Sequence, residues 1–313
     1  MARSVAAPSS IRHSGFVSPP GSAGLGRGSG VPVVLLGCDL TAHVYDDFAP
    51  KLTDQFHVYG LTRRGIGASD RPPGGYDLQR SADDLLETID ALKLPKPILV
   101  ASSCSGWVQT LLAVQHPDRL GGLVYLDAAD DPTLTAADYH FPPGDSAHLP
   151  KSAKPPAAPD YSSFEAYRAT QKRDHGVAFP EAELRYEFGV ELDGSLGPSL
   201  LSPAVRKAIT EDVHMKPDYA HVRVPVLAIF RTAPPFEEAA KEFVIENDQE
   251  RAALRHRYEA GKVMISKWEH DLSAGVPAAK IVELPGANLY MFLSNEADVL
   301  REVRAFAGTL PAR

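Results

Sequence analysis

Pro97-Ile98-Leu99-Val100-Ala101-Ser102-Ser103-Cys104-Ser105-Gly106 is the stretch on which the fold turns. The apolar run Pro97 to Ala101 reads as a short buried strand, the small hydroxyl residues after it as a turn, and Gln109 to His116 as the body of a helix. Working outward, the same alternation repeats on both sides. Val31 to Leu36 and Phe56 to Leu61 are two earlier strands, the second followed by the loop Arg64-Gly65-Ile66-Gly67. Leu85, Leu86, Ile89 and Leu92 then fall at helical spacing after Ser81, a cap candidate, so a helix is expected to run to about Leu94. Leu123 to Leu126 is a further strand ending at Asp127. Short apolar runs alternating with helical periods are the pattern of βαβ units feeding a parallel sheet. The fold class is therefore α/β, a mostly parallel central sheet flanked by helices.

From about Asp130 to Tyr219 the rhythm stops and Pro-rich pieces appear, among them Phe141-Pro142-Pro143-Gly144 and Lys154-Pro155-Pro156. The strand pattern resumes at Val224 to Phe230, followed by a charged helical stretch over roughly Glu237 to Asp271. A last strand, Lys280 to Leu284, precedes a final helix with Leu300, Val303 and Phe306 on its core side. The implied organisation is a core of residues 31–129 and 220–313, interrupted by a helical lid at 130–219. That insertion is expected over the carboxyl edge of the sheet, where open α/β folds bind ligands.

Residues 1–38 contain no acidic residue, and Arg3, Arg12 and Arg27 lie among Ser, Gly, Pro and Ala, a composition shared with some organellar transit peptides. No apolar h-region of the kind a secretory signal needs precedes Val31. Residues 1–30 read as a flexible leader of about ten residues, then short edge strands from Ile11 to Gly30. The segment Gly24-Leu25-Gly26-Arg27-Gly28 is not a phosphate loop, since no strand precedes it and no helix follows.

Composition narrows the function classes. In 313 residues, Lys plus Arg is 32 and Asp plus Glu is 40, a net charge of −8. Nucleic acid is thereby disfavoured as a partner. No run approaches the ~18 apolar residues of a membrane helix, so a soluble, cytoplasmic protein without a membrane partner is expected. Two cysteines, Cys38 and Cys104, are too few for a disulfide framework. No histidines are spaced as metal ligands with a matching carboxylate, so neither a metal nor another cofactor is called for. The expected partner is a small-molecule substrate, with the oligomeric state left open and a homodimer among the options.

Several further segments carry a family resemblance. They are Arg64-Gly65-Ile66-Gly67-Ala68-Ser69-Asp70-Arg71-Pro72, His116-Pro117-Asp118-Arg119, Val124-Tyr125-Leu126-Asp127 and Leu284-Pro285-Gly286-Ala287-Asn288-Leu289-Tyr290. In this order, with a lid-sized gap before Val224, the chain resembles the α/β-hydrolases with a helical cap, over nearly its whole length.

The resemblance implies a Gly-x-Ser-x-Gly nucleophile elbow, a strained turn that lifts a serine above the sheet. Ser103 takes the nucleophile's place, and both elbow glycines are replaced, by Ala101 and Ser105. Small side chains remain there, so the elbow shape is expected to persist. The position implied for the general base holds Leu289, which takes no proton. Loss of that histidine costs around 10⁶ in kcat. The position implied for the acid, within Ile229 to Pro235, has no carboxylate, which leaves Asp127 as an alternative acid with no histidine to orient. The oxyanion loop reads Gly37-Cys38-Asp39-Leu40, and Asp39 brings negative charge to the place where negative charge would develop.

Three functions follow from different classes. The leading reading is a non-hydrolytic enzyme of cyclase, lyase or isomerase type, acting on a small apolar, biosynthetic metabolite in a lidded pocket. In it Asp39 serves as acid or base, with Ser103 and His43 as the other catalytic candidates. Cys38, Ser102, Cys104, Leu289 and Tyr290 would line the pocket. The second is a serine esterase using Ser103 with a relocated base such as His43, and the third a binding protein without chemistry. Against these stand plainer roles: Asp39 as a helix cap, Ser103 as a turn hydroxyl, and His140, His148 and His175 as solvent-facing residues. The preferred reading of the cysteines is two small buried hydrophobes. The sharper one is a redox-sensitive pair at the site, which requires their Cα atoms within ~7 Å.

Overall fold

The computed structural model describes residues 28–135, 138–139, 148–153 and 158–311. The leader before Gly28, the glycine-rich segment at 24–27, Phe141 to Gly144, Lys154 to Pro156 and His140 lie outside the described residues.

Strand β1 (Val31–Leu36) leads through two 3₁₀ turns, Ala42–Tyr45 and Ala49–Leu52, to β2 (Phe56–Leu61). Helix α1 (Leu78–Ala91), β3 (Ile98–Ser102), α2 (Ser105–Gln115) and β4 (Gly122–Leu126) follow. Between β4 and the next sheet strand lie β5 (Lys151–Ser152), α3 (Phe164–His175), α4 (Glu181–Glu187), β6 (Phe188–Val190), β7 (Leu196–Ser199) and α5 (Pro203–Thr210). The chain then re-enters the sheet as β8 (Val226–Thr232). It continues through α6 (Phe236–Ala239), β9 (Phe243–Val244), α7 (Asp248–Gly275), β10 (Lys280–Pro285), α8 (Met291–Ser294) and α9 (Glu296–Thr309).

The central sheet has the order β10-β8-β4-β3-β1-β2, with every pairing parallel. Parallel strands covered on both faces should be apolar throughout, and β3 and β4 are buried at all positions. One face packs against α1, α2 and α7 around Leu85, Ile89, Leu112 and Leu272. The other packs against the 3₁₀ turns, α8 and α9 around Tyr45, Phe48, Phe292 and Val303. A fully buried side chain such as Ile89 contributes roughly 1.5–3 kcal/mol.

Helix α1 shows how the local pattern acts. Leu78, Ala82, Leu85 and Ile89 recur on one buried face. Its N-cap is Asp77, whose side chain accepts from the Arg80 N–H at 2.9 Å. Ser81, the expected cap, lies one turn inside the helix and donates to the Asp77 carbonyl at 2.9 Å. The charged stretch after β8 also divides, because Asn247 caps α7 and closes off the short α6 and β9 before it.

Register fixes where function can sit. Leu36 pairs with Ala101, Ser102 with Leu126, and Leu126 with Ile229. The strands therefore end together, and the segments after β1, β3, β4, β8 and β10 meet at one edge. The chain runs from β1 outward to β2 and then returns to β3 on the other side of β1. The crevice between β1 and β3 is thus the topological switch point, where open α/β sheets bind ligands.

Candidate active site

The turn after β3 is a strained elbow. Ser103 has φ 50°, in the left-handed region, and its N–H reaches the Leu126 carbonyl at 3.4 Å. Such a conformation costs about 1–3 kcal/mol and persists only where the surroundings enforce it. Ser105 supplies one constraint, its buried hydroxyl donating to the Gly37 carbonyl at 2.7 Å and tying the elbow to the loop after β1. Gly106 supplies the other, since a Cβ there would lie 1.8 Å from the Ala128 carbonyl oxygen. The glycine demanded by close packing is thus one residue beyond the replaced pair, which is why Ala101 and Ser105 are tolerated.

The Ser103 hydroxyl has no hydrogen-bond partner among the described residues, and no imidazole nitrogen reaches it. His43 uses Nδ1 on Asp46 at 2.9 Å and stacks its ring on Tyr186 at 5.1 Å. The Asp46 hydrogen bond raises its pKa. Asp127 is engaged by Arg231, whose Nε donates to Oδ2 and whose backbone N–H donates to Oδ1 at 3.2 Å. Burial raises the Asp127 pKa, and the Arg231 charge opposes the rise. Leu289 lies partly exposed on the loop after β10. Ser102 is buried and takes the Tyr45 hydroxyl at 3.2 Å. His148 and His175 are exposed.

The cysteines differ from the preferred reading. Cys38 and Cys104 form a disulfide with Cα atoms 5.0 Å apart, so they are not two independent buried thiols. The switch point brings the ends of β1 and β3 side by side, which a reading of each cysteine in its own segment does not show.

Two carboxylates from the segment between β4 and β8 join Asp39 as groups able to move a proton. Asp39 forms an ion pair with Arg206 of α5 rather than capping a helix. Glu183 of α4 is buried and accepts from the Thr41 N–H at 2.9 Å and from the Thr41 hydroxyl. Burial pushes its pKa up to about 7 against those two hydrogen bonds. Glu187, one turn later, borders a small pocket with Asp39, Leu40, Thr41, Glu183 and Arg206. Its Oε2 is buried without a partner, and burial carries its pKa to about 7, with Arg206 opposing and Asp39 reinforcing. Tyr290 is pushed up to about 12 by burial, with Asp39 and Glu187 adding to the rise.

Sequence reasoning missed Glu183, Glu187 and Arg206. Their only signal is the four-residue spacing of the two glutamates, which marks a shared helix face without saying whether it is solvated. A cavity of about 450 Å³ beside Tyr219, Trp268 and Asp271 is distinct from this pocket. No group of three His, Cys, Asp or Glu among the described residues could hold a metal ion. No helix among them is long and apolar enough to cross a membrane.

Comparison with known proteins gives consistent names. The sequence model of the alpha/beta hydrolase family matches residues 27–302. A Caulobacter segnis protein named as a carbamate hydrolase is 36% identical over 108 residues, which is 33% of this chain and only 40% of that relative. The 2-(acetamidomethylene)succinate hydrolase of Mesorhizobium japonicum is 27% identical over 209 residues, covering 65% of this chain and 71% of the relative. Among solved structures, an E-2-(acetamidomethylene)succinate hydrolase superposes with TM-score 0.63 at 20% identity, covering 91% of this chain and 94% of that one. The enol-lactonase from Burkholderia xenovorans LB400 gives 0.53 at 18% identity and 95% coverage of both. These structures share the fold. The names of the relatives favour hydrolysis over the non-hydrolytic reading.

Proposed function

The chain belongs to the α/β-hydrolase family, and from that premise we propose an enzyme that works on a small, largely apolar metabolite without passing through an acyl-serine. Residues 130–219 act as its lid. The observation that carries this reading is Glu187: a half-buried side chain whose Oε2 is buried without a partner, with its pKa carried to about 7, beside the loop where the oxyanion donors belong. A group near half ionisation at neutral pH both takes and gives protons efficiently. Ser103 has no base among the described residues to deprotonate it. Proton abstraction and return by Glu187, with Arg206 balancing charge, suits the cyclase, lyase or isomerase type. Tyr290 is near enough to feel the Asp39 and Glu187 charges, but neither it nor Leu289 is among the residues lining the small pocket.

Hydrolysis at Ser103 is the second reading, favoured by the relatives' names and by the left-handed backbone of Ser103. The two are separated by incubating wild type, Ser103→Ala and Glu187→Gln with a small-molecule extract and following masses. The proposal expects a conversion without gain of water, retained in Ser103→Ala and lost in Glu187→Gln. A conversion that adds water and disappears in Ser103→Ala, with fluorophosphonate labelling of Ser103 in the wild type, overturns it.

A further inference from the structure

The disulfide occupies an unusual place. Cys104 follows Ser103, so its backbone N–H lies where this fold takes one oxyanion donor, and Cys38 sits on the loop expected to supply the other. The bond therefore joins the two sides of the switch point. A structural staple could sit there too, but the neighbourhood of its sulfur contains a feature a staple does not require.

That feature is Arg63, in the loop after β2. Its Nη1 donates to Cys104 Sγ at 3.7 Å, its Nη2 to Ser81 Oγ at 2.7 Å, and its Nε is buried with no partner. No carboxylate forms an ion pair with it among the described residues. The acidic groups nearest in charge are already committed, Asp39 to Arg206, and Asp84 on α1 to Arg64 and Arg80. Burial pulls the guanidinium down to about 10, with Asp39 and Asp84 resisting from a distance. A buried cation without an anion is costly. A thiolate at Cys104 would be its counter-ion.

We propose that Cys38 and Cys104, only 6% and 3% exposed, are a thiol–disulfide exchange site whose partner is a small dithiol, with Cys104 as the leaving sulfur. The incoming thiolate attacks Cys38 Sγ, the Cys38–Cys104 bond breaks, and its electron pair stays on Cys104 beside Arg63. The second thiol of the reductant then displaces Cys38. The reductant leaves as its disulfide, and the protein holds two thiols. In a reducing compartment, disulfides that form are usually transient and redox-active rather than structural. This chemistry uses neither Glu187 nor Ser103, so it stands or falls separately from the proposed function.

The test is the acidity of Cys104 in Cys38→Ser, read from thiolate ultraviolet absorbance against pH. Cys104 is expected to titrate about one pH unit or more below the ~8.5 of an ordinary cysteine, and to return to that value or above when Arg63→Gln is added. Titration at or above ~8.5 in Cys38→Ser, or no movement on adding Arg63→Gln, overturns the proposal. Should the double variant fail to fold, the wild-type protein answers alone. One equivalent of a monothiol should give a mixed disulfide on Cys38 by peptide mass mapping. A mixed disulfide on Cys104, or equal amounts on both, overturns it.

Discussion

Replacing Glu183 by glutamine should make the protein more stable at alkaline pH and leave it nearly unchanged at acid pH. The side chain is 1% exposed, and burial raises its pKa from 4.5 to about 7. The folded state therefore holds a proton that the unfolded state has lost between those values. Stability is greatest below pH 4.5, falls as pH rises toward 7, and is flat above. A shift of roughly 2.5 units corresponds to about 3 kcal/mol. Glutamine keeps the contacts of the protonated acid: its oxygen accepts the Thr41 N–H and its amide donates to the Thr41 hydroxyl, without the buried charge. Urea unfolding at pH 5 and pH 8 measures the difference. With an m-value of about 3 kcal/mol/M, the variant's midpoint should exceed the wild type's by about 1 M at pH 8 and match it closely at pH 5. Glu187 shifts in the same direction, so the comparison is between variant and wild type at each pH rather than along the wild-type curve. Equal destabilisation of Glu183→Gln at both values would refute the reasoning, because it would mean the carboxylate is ionised and held by Thr41 throughout.

Three other outcomes can be checked. Leu289→His returns an imidazole to the loop after β10 but leaves Asp127 engaged by Arg231. Losing the histidine of such a triad costs around 10⁶ and losing the acid around 3 × 10⁴, so the variant should label Ser103 with a fluorophosphonate roughly 30-fold faster than wild type. An unchanged labelling rate would show that Ser103 is not accessible to that position. Gly106→Ala drives a methyl into the Ala128 carbonyl and should cost about 3 kcal/mol or more, visible as a lowered calorimetric Tm. By contrast, Ala101→Gly should cost only about 1 kcal/mol.

The sheet was legible because its strands are short apolar runs bounded by turn residues: Val31 to Leu36 and Phe56 to Leu61 match β1 and β2 residue for residue. Boundaries slipped where side-chain chemistry decides locally. Asp77 outcompetes Ser81 as a cap because its carboxylate reaches the Arg80 N–H, and β8 starts after Pro225 rather than at Val224. The departures at Leu289 and Asp39 were readable because each occupies a position with a defined chemical task. Glu183 and Glu187 were not, since their pKa shifts come from burial in the folded chain, opposed by Thr41, 142 residues before Glu183, and by Arg206 of a different helix from Glu187. The same holds for the disulfide, whose halves are 66 residues apart and meet only once β1 and β3 pair.

That 66-residue separation also turns part of the chain into a covalent ring. The ring closes around β2, α1 and β3 and includes the exposed turn at Pro73 to Gly75. A protease that cuts once in that turn would produce no free fragment. The two pieces would migrate as one band until the sulfur bond is opened. Limited digestion run on paired gels, with and without reductant, therefore reports the oxidation state of the chain inside a crude extract, before any purification has exposed it to air.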